Sequence, residues 1–130
     1  MTVQRITSGA PWEDKVGYRR AVRVGNQVFV AGTVAVDADG QPFAPGDVGA
    51  QTARALEIIK AALEEAGAGV EHVVRTRVFT TDMHPDTQAA VGAAHLDVFR
   101  DHPPASTMLA VNALAHPAFL VEIEADAVIS

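Results

Sequence analysis

The segment from Phe119 to Ile129 constrains the fold most, because from Val121 onward apolar and acidic residues alternate. Val121, Ile123, Ala125, Ala127 and Ile129 point one way, and Glu122, Glu124 and Asp126 point the other. That period of two belongs to a strand with one face in a core and one face outside it. Such a strand needs neighbours for its backbone and a cover for its apolar face.

Both are supplied elsewhere in the chain. Ala21 to Val24 and Gln27 to Ala31 are β-branched runs separated by Gly25-Asn26, a pair suited to a tight hairpin turn. Val70 to Thr81 and Ser106 to Ala113 read as further strands, and Ala38-Asp39-Gly40 as a turn. Between Val48 and Ala66 the period becomes helical: Val48, Thr52, Ala55, Ile59 and Leu63 share a face, opposite Arg54, Glu57, Lys60 and Glu64. Asp47 is the expected N-cap and Gly67 the stop. A second helix is expected from near Asp86, just after Pro85, to before His102-Pro103-Pro104, where the prolines end it. Gly92 weakens that helix by about 1 kcal/mol, which suggests a packing or ligand reason for it.

The expected architecture is α+β: one domain over residues 1–130, a mixed sheet with two helices packed on one face. The other face would carry Glu122 and Glu124 beside Arg75, Arg77 and Phe79 if the registers match. A monomer leaves that face wet, or a second chain covers it.

Composition removes several kinds of chemistry. There is no cysteine, so disulfides, cysteine-ligated zinc, iron–sulfur clusters and cysteine nucleophiles are excluded. His72, His84, His95, His102 and His116 show no i, i+4 pairing with a neighbouring Glu, so no metal is expected. Neither a GxSxG elbow nor a P-loop occurs, and no cofactor is expected. The balance of 10 Lys+Arg against 16 Asp+Glu, a net charge of −6, argues against a nucleic-acid partner. No apolar run approaches the roughly 18 residues of a membrane span, so neither membrane nor secretion is expected and a cytoplasmic location is.

The candidate functional residues each have a bland reading beside the sharp one. Glu122 and Glu124 lie roughly 7 Å apart on one strand face, a spacing open to paired carboxylates, to a solvated acidic face or to ion pairing with Arg75 and Arg77. Arg19-Arg20, after Tyr18, reads as an anion clamp or as solvated charge. Pro11-Trp12 reads as a loop whose tryptophan is a packed anchor rather than a stacking platform.

Several motifs together resemble the Rid family, the reactive intermediate deaminases also called YjgF proteins. They are Gly17-Tyr18-Arg19-Arg20-Ala21-Val22, Val28-Phe29-Val30-Ala31-Gly32, the helix from Gln51 to Ala66 ended by Gly67, Val78-Phe79-Thr80-Thr81-Asp82-Met83, Pro104-Ala105-Ser106-Thr107 and Val121-Glu122-Ile123-Glu124-Ala125. The resemblance implies a chorismate-mutase-like fold and a homotrimer with three ligand clefts between subunits.

It also implies roles for single residues. Glu122 would position the water that attacks an imine, and Tyr18 would orient the ligand. Gly32 would let its backbone approach the ligand, beside Ala31 where many relatives have serine. Thr107 stands where relatives often have cysteine, and Gly92 where many have asparagine. Ala105 stands in place of the arginine that clamps the substrate carboxylate, leaving Arg77 or Arg20 as candidate anion contacts from another direction. An imine or enamine hydrolase outside the standard 2-aminoacrylate reaction, and a small-metabolite-binding protein without chemistry, are the two expectations. RNA cleavage is opposed by the acidic charge.

Overall fold

The computed structural model describes residues 2–130. Its elements run β1 (Val3–Ile6), α1 (Pro11–Val16), β2 (Ala21–Val24), β3 (Gln27–Val34), α2 (Val48–Glu65), a 3₁₀ turn (Val70–His72), β4 (Val73–Thr80), α3 (Pro85–Phe99), β5 (Ala105–Ala110) and β6 (Val121–Val128). The strands form one mixed sheet in the order β1-β2-β3-β6-β4-β5, antiparallel except for the parallel pair β4–β5. The alternating strand β6 is central, and its apolar face is fully covered: Val121, Ile123, Ala125 and Ala127 are at most 1% exposed.

The cover comes from α2 and α3. Asp47 caps α2, its side chain accepting from the Ala50 amide at 3.0 Å. Gly67, at φ 85°, turns the chain out of the helix. Ala55, Leu56, Ile59 and Leu63 of α2 pack onto Val28, Val30, Val78 and Ile123 of the sheet, with Val91 and Phe99 of α3. Gln51 is also fully buried, and it staples α2 to the start of β6. Its Nε2 donates to the Ala118 carbonyl at 2.8 Å, and its Oε1 accepts from the Leu120 amide at 2.9 Å. This fixes where β6 begins, and so where Glu122 falls.

Three readings of the sequence need correction. Pro11-Trp12 is not a loop: proline opens the six-residue α1, where its missing amide costs nothing. Trp12 is 64% exposed rather than packed, with Lys15 Nζ 5.3 Å from its ring centre. The buried residue of α1 is Glu13. Residues 70–72 form a 3₁₀ turn and not the first part of a strand, because His72 Nδ1 accepts the Gly69 amide at 3.0 Å and closes the turn. β1 was not foreseen, and it extends the sheet by pairing Val3–Ile6 with Ala21–Val24.

Candidate functional site

The outer face of the sheet is set by register. β6 aligns Glu122 with Phe79, Glu124 with Arg77 and Asp126 with Arg75, as the alternation predicts. On its other side Glu122 lies opposite Val34 and Asp126 opposite Phe29 of β3. The face mixes charge with exposed apolar side chains: Phe29 is 45% exposed and Leu109 51%.

The acids divide by partner. Arg77 Nη1 donates to Glu124 at 3.1 Å and to Asp126 at 3.3 Å, so the expected cross-strand pairing exists, but not at Glu122. Glu122 turns to Gly32. Between Val30 and Thr33 the β3–β6 ladder shifts register, and this bulge brings the Gly32 backbone against the Glu122 carboxylate. A Cβ at position 32 would overlap Glu122 Oε2 and stand 3.1 Å from its Cδ. Glycine is therefore needed for close approach, and its φ is ordinary.

Arg20 meets the same bulge. It lies between α1 and β2, its amide donating to the Ile6 carbonyl at 2.8 Å and its carbonyl accepting from Ala31 at 2.9 Å. Its Nη2 donates to the Gly32 carbonyl at 2.9 Å, and its guanidinium lies 5.7 Å from the Tyr18 ring centre. Tyr18 is held in turn by α1, its amide donating to the Glu13 carbonyl at 3.0 Å. Glu13 also gathers the preceding segment, accepting from Thr7 Oγ1 at 2.8 Å, from the Ser8 amide at 3.1 Å and from the Ser8 hydroxyl. Burial pushes the Glu13 carboxyl up, and these hydrogen bonds more than offset it, leaving it below the ordinary carboxylate range.

Glu122 behaves in the opposite way. Burial raises it above the ordinary range, the Arg20 charge opposes that rise, and neighbouring Glu124 adds to it. A half-buried carboxylate whose pKa is raised by burial and opposed by a nearby guanidinium charge is suited to hold and return a proton. Alongside it, Arg5, Tyr18, Arg19, Val22, Phe29, Ala31, Glu124 and Asp126 line an open groove of about 630 Å³. Arg19 is engaged by Asp14 at 3.1 Å.

One chain thus brings together Tyr18, Arg20, Ala31, Gly32 and Glu122. Thr107 and Ala105 share the outer face but pair with Arg77 and Arg75 at the far edge, roughly 10 Å from β6 at two strand spacings. Ser106, between them, faces the helices: its hydroxyl lies 2.8 Å from Thr76 Oγ1, which is 2.9 Å from His95 Nε2. Gly92 lies on α3, on the helix side of the sheet, exposed and with nothing within 4 Å of where a side chain would begin. Phe29 and the Arg20–Gly32 bond were not singled out from sequence; the latter depends on a bulge that no local pattern announces.

Comparison with known proteins identifies the family and the fold. The family model described as Endoribonuclease L-PSP matches residues 9–129. An uncharacterised protein from Streptomyces coelicolor is 39% identical over 125 residues, covering 96% of this chain and 91% of that one. A RutC family protein from Pyrococcus abyssi is 36% identical over 110 residues, covering 85% and 84%. The crystal structure of a YjgF-family member from Mycobacterium tuberculosis superposes with a TM-score of 0.88 at 41% identity, covering 98% and 100%. The Escherichia coli YjgF structure does so with a TM-score of 0.80 at 30% identity, covering 97% and 94%. The chain belongs to the Endoribonuclease L-PSP family, the family of the YjgF and RutC proteins.

Proposed function

We propose that this protein is a homotrimer that hydrolyses a small imine or enamine-type metabolite in clefts on the outer sheet face. The observation that carries the reading is Glu122, a half-buried carboxylate seated on the Gly32 bulge beside Arg20 and Tyr18. In this mechanism Glu122 accepts a proton from water as its oxygen adds to the imine carbon. That proton is returned to nitrogen to give the carbinolamine; Glu122 then takes the carbinolamine hydroxyl proton and passes it to the same nitrogen as the C–N bond breaks, and ammonia and a carbonyl compound leave. Tyr18 orients the substrate. A second chain packed on the outer face would cover Phe29 and Leu109 and bring another copy of Thr107 and Ala105 toward Glu122.

The substrate lacks a carboxylate in this reading. Residues 103–107 are Pro-Pro-Ala-Ser-Thr and carry no arginine, Arg77 is committed to two acids, and Arg20 bonds to Gly32. The same facts favour the second reading, a metabolite-binding protein without chemistry. The two separate on an N-unsubstituted ketimine generated in situ. Ketone release above the buffer rate, lost in Glu122→Gln, supports the hydrolase; binding without acceleration supports the second. The family's endoribonuclease name is not extended here, because the net charge of −6 opposes binding of a phosphate backbone.

A further inference from the structure

Arg20 stands apart from the other arginines near the cleft. Arg19 and Arg77 each reach a carboxylate within 4 Å, and Arg23 bonds two carbonyl oxygens, of Gly25 at 2.8 Å and Ala66 at 2.7 Å. Arg20 has a single side-chain hydrogen bond among the described residues, to the Gly32 carbonyl, and its Nε is buried without a partner. Burying a guanidinium donor unsatisfied is costly, so a local role would be expected to compensate for it. The role is visible at Gly32. Its carbonyl accepts from Arg20, and the Glu122 carboxylate occupies the space where a side chain at this position would begin. The arginine backbone is hydrogen-bonded to both flanking strands, so the side chain is anchored at both ends.

We propose that Arg20 is the positioning residue of the cleft: it holds the Gly32 bulge in place under Glu122 and supplies the positive charge that faces this carboxylate. The inference rests on the reading of Glu122 as the water-handling base. Among the described residues, the other arginines on this face without a carboxylate partner, Arg5 and Arg75, lie in the register row of Asp126, four residues along β6 from Glu122. β3, from Gln27 to Val34, has no charged residue, and on β6 the near neighbour is Glu124, itself an acid. From β4, Arg77 is bound to Glu124 and Asp126, and Phe79 lies opposite Glu122. The opposing effects on Glu122 agree: burial favours its neutral form and Arg20 favours the carboxylate.

The test is a pH titration of the Glu122 side-chain carboxyl by carbon NMR, assigned by its loss in Glu122→Gln, in wild type, Arg20→Met and Arg20→Lys. The expected result is a midpoint moved to higher pH in Arg20→Met and largely restored in Arg20→Lys, which keeps the charge. A folded Arg20→Met that titrates at the wild-type pH overturns the proposal; if that variant does not fold, Arg20→Gln carries the same comparison. In ketimine hydrolysis, the acid limb of the kcat profile should move to higher pH in Arg20→Met, with KM little changed. The NMR arm needs no turnover, so absence of hydrolysis by the wild type would refute the function while leaving Arg20 to be judged separately.

Discussion

Gly32→Ala should damage the site far more than the fold. The backbone at Gly32 is not in the left-handed region, so alanine adds no conformational strain there. The new Cβ would overlap Glu122 Oε2 and press on Cδ at 3.1 Å and Cγ at 3.4 Å. Because the obstructing atoms are the end of a flexible side chain, the carboxylate moves, by about 1 Å, into a less favourable rotamer costing about 0.5–1.5 kcal/mol. For a chain of 130 residues a loss near 1 kcal/mol lowers Tm by about 4 °C. Displacing a catalytic group by that distance costs on the order of 100-fold in rate. The assay pairs a thermal melt with kcat/KM for ketimine hydrolysis. Unchanged kcat/KM in Gly32→Ala would refute the claim that the bulge seats Glu122. A collapse of Tm with no separate loss of rate would assign the glycine to stability alone.

Four further outcomes follow from particular contacts. Gly92→Ala places a methyl group in open space on the exposed side of α3, so it should stabilise by about 0.5–1 kcal/mol in chemical denaturation; a loss would mean that the glycine serves a contact with another chain or a ligand. Glu13→Gln weakens the bonds to Thr7 and Ser8, and should cost about 1–3 kcal/mol at neutral pH. Because the folded pKa of Glu13 lies below its unfolded value, its contribution is present above the unfolded value and lost as pH falls through the folded one. The gap between variant and wild type should therefore shrink in acid, and a gap constant with pH would count against the assignment. Light scattering should give about three times 13.7 kDa, and a clean monomer would contradict the shared cleft.

What the sequence made legible was what local physics decides. The alternation in Val121 to Ala127, the Gly25-Asn26 hairpin and the Asp47-capped helix each act within a few residues, and each appears where expected. The misses have physical causes too. β1 has only four residues and is a strand because β2 pairs with it. α1 is too short for a hydrophobic period, and it buries a glutamate that hydropathy places outside. For the site, the side chains Tyr18, Arg20 and Glu122 were visible by type and motif. Their meeting at Gly32 was not, because it needs a register shift between strands about 90 residues apart in sequence. The same distance effect reassigned the ion pairs: Arg77 chose Glu124 and Asp126, leaving Glu122 against Gly32.

The most direct measurement is the rate of ketone release from a carboxylate-free ketimine by wild type and by Glu122→Gln, with both proteins shown to be folded and of equal oligomeric mass. The account predicts acceleration by the wild type and a loss of about 10²–10⁴-fold on removing the base. Equal rates in the two proteins would contradict it.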